Sequence, residues 1–108
     1  MREQFLEQAA AEKKAVLLDF GAEWCSTCRV VDELLDKGWP GLKSRLLLVK
    51  VDIHQRPDLV ERFNILSVPT VLLLSPKEEI LWRRSGYFRP RELEEALPPA
   101  LALPDREE

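Results

Sequence analysis

Three almost wholly apolar runs limit most strongly the folds open to this chain. They span residues 15–20, 46–53 and 71–74 and lack the regular polar–apolar alternation of a strand with one solvent-facing side. Such runs are typical of strands covered on both faces, which requires helices on either side of a sheet. Residues 21–45 can hold a crossover helix, so the first two runs can pair in parallel. These features predict an α/β fold.

Helices are predicted around these runs, and a fourth strand follows the third. Four segments show apolar residues at helical spacing or open with a proline: residues 2–14, residues 25–37, and the stretches that begin at Pro57 and Pro90. A turn at residues 75–78 leads into a strand at residues 80–84. The predicted order is αβαβαββα, a four-stranded mixed sheet flanked by helices. Residues 1–97 are assigned to one domain, and the Pro-rich residues 98–108 to a tail that is expected to fray.

Charge and composition exclude several classes of partner. The chain has 108 residues, a net charge of −3 and a pI near 5.3, which leaves no basic stripe for nucleic-acid phosphates. No apolar run approaches the length that spans a bilayer, and the charged N-terminus lacks the apolar centre of a signal peptide. We therefore expect a cytoplasmic monomer with no nucleic-acid partner and no membrane insertion, unless a leader has been removed.

The two cysteines of the chain are its strongest functional signal. Cys25 and Cys28 follow a predicted buried strand and open a predicted helix. Free backbone N–H groups and the helix dipole at that position lower the pKa of a thiol, and a cysteine one turn further on can close a disulfide. We expect the N–H of Thr27 to face the Cys25 sulfur, and the hydroxyls of Ser26 and Thr27 are further candidate donors. The pattern favours thiol–disulfide chemistry.

Two alternative roles for the cysteine pair stay open. A structural zinc site needs four ligands, and two cysteines with the single His54 supply only three within one chain. The cysteines could also be buried side chains that only pack, although the apolar neighbours typical of such cysteines are missing. We expect no metal in a monomer.

A carboxylate interrupts the first apolar run. Asp19 lies within AVLLDF, where an ionised side chain is costly unless it is paired. A buried acid with a raised pKa can accept the proton of a resolving thiol. Lys50, within the second run, is the candidate partner of Asp19 on the neighbouring strand. The alternatives are an aspartate at a strand end that faces water and a lysine that faces solvent.

Four segments together resemble the thioredoxin family in order and spacing, over nearly the whole chain from the first helix to about Leu97. Their sequences are DFGAEWCSTCRVV, KVDI, SVPTVLLL and SGYFRPRELEEAL. The resemblance implies a thioredoxin fold that lacks the usual first strand. The segment AEWCSTCR is also similar to the soluble disulfide-reductase domains that take electrons from membrane transporters.

The resemblance implies roles for the residues of the reactive centre. Cys25 is the expected attacking thiol, and Cys28 is the expected resolving thiol. Trp24 is the expected flanking aromatic lid. Asp19 is the expected buried acid, with Lys50 beside it.

A second group of residues is expected to hold the substrate. Pro69 matches the cis-proline of the family, which lies against the disulfide and exposes the backbone of Val68 for pairing with substrate. Gly86 matches a glycine that leaves room for the partner. The chain departs from the family pattern at four positions, where thioredoxins have a proline, a proline, an aromatic residue and a glycine: Thr27, Glu33, Gly21 and Ser67, in that order.

The expected function is that of a thiol–disulfide oxidoreductase, a protein-disulfide reductase that uses the Cys25–Cys28 couple and no other cofactor. Its expected partners are protein disulfides and an electron-donor reductase of unknown identity. Two alternatives are a thioredoxin-fold binding module with little redox turnover and a dithiolate metal carrier.

Overall fold

The computed structural model describes residues 3–38, 46–89, 91–93 and 95–96. Within these ranges the helices and strands follow in this order: α1 (Gln4–Glu12), β1 (Ala15–Gly21), α2 (Ser26–Gly38), β2 (Leu46–Asp52), α3 (Pro57–Arg62), β3 (Thr70–Leu74) and β4 (Ile80–Ser85). Residues 91–93 and 95–96 are helical as well. The predicted order αβαβαββα is therefore confirmed.

The sheet is mixed, as the sequence predicts. Its strand order is β2-β1-β3-β4, so β1 is an interior strand. β1 pairs in parallel with β2 and antiparallel with β3, and β3 pairs antiparallel with β4. The first apolar run thus lies in the middle of the fold.

Helices cover both faces of the sheet at its interior strands β1 and β3, which explains why β1 is apolar at consecutive positions, whereas β4 is largely exposed. The buried core on the α2 face contains Ala15, Leu17, Val31, Leu35, Leu46, Val71, Leu73, Phe88 and Leu93. The core on the face of α1 and α3 contains Leu6, Ala9, Val16, Leu18, Phe20, Val51, Leu59, Phe63, Ile65, Leu72 and Leu74. Because side chains alternate along a strand, Asp19 follows Ala15 and Leu17 onto the α2 face.

Several predicted boundaries differ from the observed ones by one or two residues, and two of the differences have local reasons. α1 ends at Glu12 because Lys13 adopts the left-handed backbone conformation, with φ 57°, and its N–H bonds back to the last helical turn. β2 ends one residue before Ile53, whose N–H still donates to the carbonyl oxygen of Gly21 at 3.0 Å. This bond ties the end of β2 to the end of β1, next to the two cysteines.

Two further expectations concern the C-terminal segment and the membrane. Leu97 and the predicted tail at residues 98–108 lie outside the described residues. Across the described ranges, no helix has the length and apolar character needed to cross a membrane.

Candidate active site

The two cysteines lie where β1 has ended and α2 begins. Cys25 immediately precedes α2, and its N–H donates to the carbonyl oxygen of Ala22 at 3.2 Å, which closes the turn out of β1. Cys28 lies in the first turn of α2. The two residues form a disulfide, and their Cα atoms are 5.2 Å apart, well within the range that disulfides span.

The Cys25 sulfur has a backbone donor, but it is not the predicted one. The N–H of Cys28 donates to Cys25 Sγ at 3.1 Å. Cys25 occupies the N-cap position, whose side chain accepts from the second or third helical residue, and here it accepts from the third. Among the described residues no hydrogen bond joins Thr27 to this sulfur, and Ser26 and Thr27 are both exposed. The prediction that the Thr27 N–H faces Cys25 is therefore wrong.

The two sulfurs have different surroundings. Cys25 is 8% exposed and Cys28 is 2% exposed. Gly21 lies against Cys28, because a Cβ atom at this glycine would be 3.3 Å from both Cβ and Sγ of Cys28. A contact that short is tight for a packed interior, so the glycine leaves space beside the inner sulfur. Cys25 is the sulfur that a partner protein can approach more easily.

A buried acid lies behind the inner sulfur. Asp19, Gly21 and Cys28 line one cavity of about 430 Å³, which we call the inner cavity. Asp19 is 2% exposed, and no described group donates a hydrogen bond to either of its carboxylate oxygens. Burial, followed by interaction with the neighbouring Asp32, raises the pKa of Asp19 from 3.8 to about 8. Asp19 is thus a buried acid, and the alternative of a strand-end residue that faces water is wrong.

Lys50 lies opposite Asp19 on β2 but pairs with another acid. The β1–β2 register places the two Cα atoms as partners. Lys50 Nζ, however, donates to Asp36 Oδ2 at 3.0 Å, and both side chains are nearly half exposed. This surface pair avoids the desolvation that a buried Asp19–Lys50 pair would require. The register expected from the sequence is confirmed, whereas the expected ion partner is not.

An apolar groove begins at Trp24, the residue that precedes the outer cysteine. It has a volume of about 170 Å³, we call it the outer groove, and its lining residues are Trp24, Ile53, Val60, Ile65, Leu66, Ser67 and Val68. Trp24 is 67% exposed and Leu66 is 85% exposed. Exposed apolar side chains grouped around a groove are typical of a binding surface. Trp24, the expected lid, therefore lines an exposed apolar groove next to Cys25.

Sequence reasoning missed one contact beside this groove. The indole Nε1–H of Trp24 donates to His54 Nε2 at 3.0 Å. A signal for this contact was available. Gly21 and Asp52 are register partners at the ends of parallel strands, so the residues that follow them leave the sheet at the same edge.

The loop before β3 has the conformation that the resemblance implies. The Val68–Pro69 peptide bond is cis. Neither the N–H nor the C=O of Val68 is bonded to the backbone of a described residue, which leaves both groups available to an extended partner. Gly86 has φ 83°, a conformation that favours glycine, and its N–H donates to the carbonyl oxygen of Pro69 at 2.8 Å. A Cβ atom at Gly86 would meet nothing within 4 Å, so space beside this loop is open.

A disulfide with one approachable sulfur can exchange two electrons with another disulfide through a mixed-disulfide intermediate. The fold and the site therefore define a thiol–disulfide oxidoreductase. Comparison with known proteins identifies its family. Residues 1–97 match the family model for thioredoxin, so the chain belongs to the thioredoxin family. In the part of the chain that the structure describes, no three side chains of His, Cys, Asp or Glu group as metal ligands.

Individual relatives agree with this assignment. The chain is 33% identical to a thioredoxin of Rickettsia bellii, over 69% of this chain and 71% of that protein. It is 35% identical to thioredoxin 1 of Chlorobaculum tepidum, over 66% and 69% of the two chains. A mutant thioredoxin from Halobacterium salinarum superposes with a TM-score of 0.77 over 94% of this chain and 87% of its own, at 19% identity. That last likeness bears on the fold alone.

Proposed function

We propose that this oxidoreductase works as a protein-disulfide reductase, with Cys25 as the attacking thiol and Cys28 as the resolving thiol. The observation that carries the proposal is the difference between the two sulfurs. Cys25 follows Trp24 of the outer groove and accepts a backbone N–H, whereas Cys28 is buried and borders a cavity shared with Asp19. An attacking thiol must be reached by substrate, and a resolving thiol needs a proton acceptor.

In the first step the substrate lies along the outer groove. The backbone N–H and C=O of Val68 pair with an extended segment of the substrate, and Trp24 covers the side chains of that segment. The thiolate of Cys25 attacks one sulfur of the substrate disulfide, forms a mixed disulfide and releases the other sulfur as a thiolate. The Cys28 N–H that contacts Cys25 Sγ at 3.1 Å stabilises the thiolate before attack.

The second step takes place at Cys28, beside the inner cavity. The carboxylate of Asp19 takes the proton of the Cys28 thiol, and the resulting thiolate attacks Cys25 Sγ. The mixed disulfide breaks, the substrate leaves as a thiol or thiolate, and the enzyme retains the Cys25–Cys28 disulfide. The substrate has gained two electrons and the enzyme has lost two. A raised pKa supports this role, because a carboxyl that titrates near neutral pH can both take and release a proton there.

The disulfide must then be reduced by a donor. One relative, from Mycobacterium leprae, is described as a bifunctional thioredoxin reductase/thioredoxin; it is 27% identical over 87% of this chain, which spans 21% of that protein. We propose a donor of the thioredoxin reductase class. The cysteine couple is itself the electron carrier, so the proposed cycle needs no further cofactor. A monomer in the cytoplasm, where thiols are kept reduced, fits this cycle.

The test is a coupled assay with NADPH, a bacterial thioredoxin reductase and insulin as the disulfide substrate. With the wild-type protein present, the reductase should oxidise NADPH in proportion to insulin reduction, and Cys25→Ser should abolish both. A binding module would bind insulin without consuming NADPH. If the reductase fails but dithiothreitol-reduced protein still reduces insulin, the donor class is wrong and the disulfide chemistry stands. If reduced protein leaves insulin intact, the reductase proposal is wrong.

A further inference from the structure

The inner cavity is lined by more acidic side chains than the proposed mechanism uses. Its charged lining consists of Asp19, Glu23, Arg29, Asp32, Lys50 and Asp52. Both bases already have partners: Arg29 Nη1 donates to the backbone carbonyl oxygen of Glu23 at 2.7 Å, and Lys50 pairs with Asp36 outside the cavity lining. Asp52 Oδ1 accepts the backbone N–H of His54 at 2.8 Å. Of the acidic residues on α2, the helix that also carries Cys28, Asp32 is the one that lines this cavity.

Asp32 lines the same cavity as the buried acid and is partly exposed to solvent. It follows Cys28 by four residues on α2, so the two side chains lie on the same face of the helix. It is half-buried, and it lines the inner cavity together with Asp19 and Cys28. Asp19 has no described donor on either oxygen. A protonated Asp19 can instead donate toward Asp32, as two neighbouring carboxyl groups share one proton.

We propose that Asp32 is a positioning residue of the second step, which acts through Asp19 and sets the pH above which Asp19 can take the proton of Cys28. The proposal rests on the proton-acceptor role of Asp19 given above. The proton passes from the Cys28 thiol to the Asp19 carboxylate, and it leaves through the inner cavity to water. Asp32 delays the ionisation of Asp19 because a second negative charge nearby is unfavourable in a buried site.

The charged groups around Asp19 agree with the proposal that Asp32 delays the ionisation of Asp19. After burial, Asp32 is the next cause that raises the pKa of Asp19, and it does so both by hydrogen bonding and by charge. Lys50 on β2 opposes it, and Asp36 on α2 adds a smaller upward contribution. On the far side of β3, Arg84 is paired with Glu92. Asp32 is thus the acid that most influences Asp19.

Gly21 makes this arrangement possible. A Cβ atom here would come within 3.3 Å of Cys28 Sγ, so a larger residue would fill the inner cavity next to the sulfur. Because this chain has a glycine here, the space between Cys28, Asp19 and the mouth of the cavity stays open. Asp32 on α2 can act on Asp19 through that space.

The experiment compares Asp32→Asn with Glu33→Gln. Glu33 is the adjacent acid on α2, but it is exposed and does not line the inner cavity. Reduced protein is mixed with a fluorogenic peptide disulfide in a single turnover, and the rate of the resolving step is measured over a pH range from acidic to alkaline. Asp32→Asn should move the half-maximal pH down by about one unit, and Glu33→Gln should leave it at the wild-type value. Asp32→Ala should shift it the same way, since both variants remove the charge.

The Asp19→Asn background separates this proposal from the one on which it rests. If Asp32 acts through Asp19, Asp32→Asn should cause no further shift once Asp19 is replaced. A shift that persists there, or an Asp32→Asn profile equal to that of Glu33→Gln, overturns the role of Asp32 and leaves that of Asp19 intact. If Asp19→Asn alone has the wild-type profile, the proton-acceptor role itself is wrong, and the proposal for Asp32 is wrong with it.

Discussion

Cys25 and Cys28 are joined by one bond, yet they face opposite kinds of surroundings. On the outer side, Cys25 adjoins Trp24, which lines an apolar groove together with Val68, whose N–H and C=O bond to no backbone group of a described residue. On the inner side, Cys28 borders a charged cavity with Asp19 at its buried end. The difference separates the two tasks of disulfide exchange: the outer side binds a chain, and the inner side moves a proton.

The two sides also differ in what stabilises them. Asp19 is a buried carboxyl without a described donor, which costs free energy whenever it is ionised. The outer side exposes apolar area instead, and Trp24 is 67% exposed. Neither the buried carboxyl nor the exposed apolar area stabilises the folded protein in the absence of a partner. Both are understandable if the site is built to react with a partner.

Replacing either cysteine gives the largest expected effect. It tests directly whether Cys25 is the outer, attacking thiol and Cys28 the inner, resolving thiol. Cys28→Ser should form a stable mixed disulfide with a substrate through Cys25, because the resolving thiol is gone. Cys25→Ser should form almost none, because Cys28 is only 2% exposed. Both should lower turnover by at least about 1000-fold. Mass spectrometry of non-reduced complexes identifies the linked cysteine, and equal trapping by the two variants would contradict the assignment of outer and inner sulfurs.

Asp19→Asn should give the next largest effect. It keeps the shape of the side chain but removes the proton acceptor, so the resolving step should slow by about 100-fold at a pH of about 8. Attack by Cys25 should change little. Stopped-flow measurement of the two steps checks this, and an equal loss in both would place Asp19 in substrate binding instead.

The same variant should be more stable than wild type, in a pH-dependent way. The pKa of Asp19 is raised from 3.8 to about 8 in the folded protein, so the folded state holds this proton in a range where the unfolded chain has released it. The contribution of Asp19 to the free energy of unfolding therefore falls as pH rises from about 4 to about 8. Asparagine does not titrate. Its advantage should grow over that range to about 5 kcal/mol, at about 1.4 kcal/mol per pKa unit, as measured by urea unfolding at several pH values, and a constant difference would contradict the buried-acid interpretation.

Gly86→Ala should have a smaller effect, on the outer side. Gly86 has φ 83°, and alanine is less stable in that conformation by about 1 kcal/mol. The added methyl group would project into open space in the free protein. Urea unfolding measures the backbone cost, and a rise in KM for a protein substrate would locate the partner beside this glycine. An unchanged free energy of unfolding would mean that the backbone of the variant relaxes.

His54→Ala should have the smallest effect. It removes the acceptor of the Trp24 indole N–H, a single exposed hydrogen bond worth about 1 kcal/mol or less. KM for a protein substrate should rise by about two- to fivefold with little change in kcat. His54→Gln keeps an acceptor and should stay closer to wild type. The indole N–H resonance of Trp24 in NMR spectra should shift in the alanine variant, and an unchanged resonance would mean that the bond is not populated in solution.

Much of this protein follows from local sequence. The apolar runs determine β1, β2 and β3, because strands covered by helices on both faces need no polar alternation. The break between the first run and α2 places Cys25 at a helix N-cap, and the two-residue spacing to Cys28 fits one helical turn. A carboxylate inside AVLLDF had to be buried if that run was an interior strand.

Contacts between elements were decided only by the tertiary structure. Whether Lys50 pairs with Asp19 or Asp36, whether Cys28 or Thr27 donates to Cys25, and whether His54 meets Trp24 all depend on positions within a few tenths of an ångström. Hydrogen bonds and ion pairs require that accuracy, whereas burial and periodicity do not. The sequence alone therefore determined the fold and the reactive pair, and the packing of α2 and the loops against the sheet decided which groups tune it.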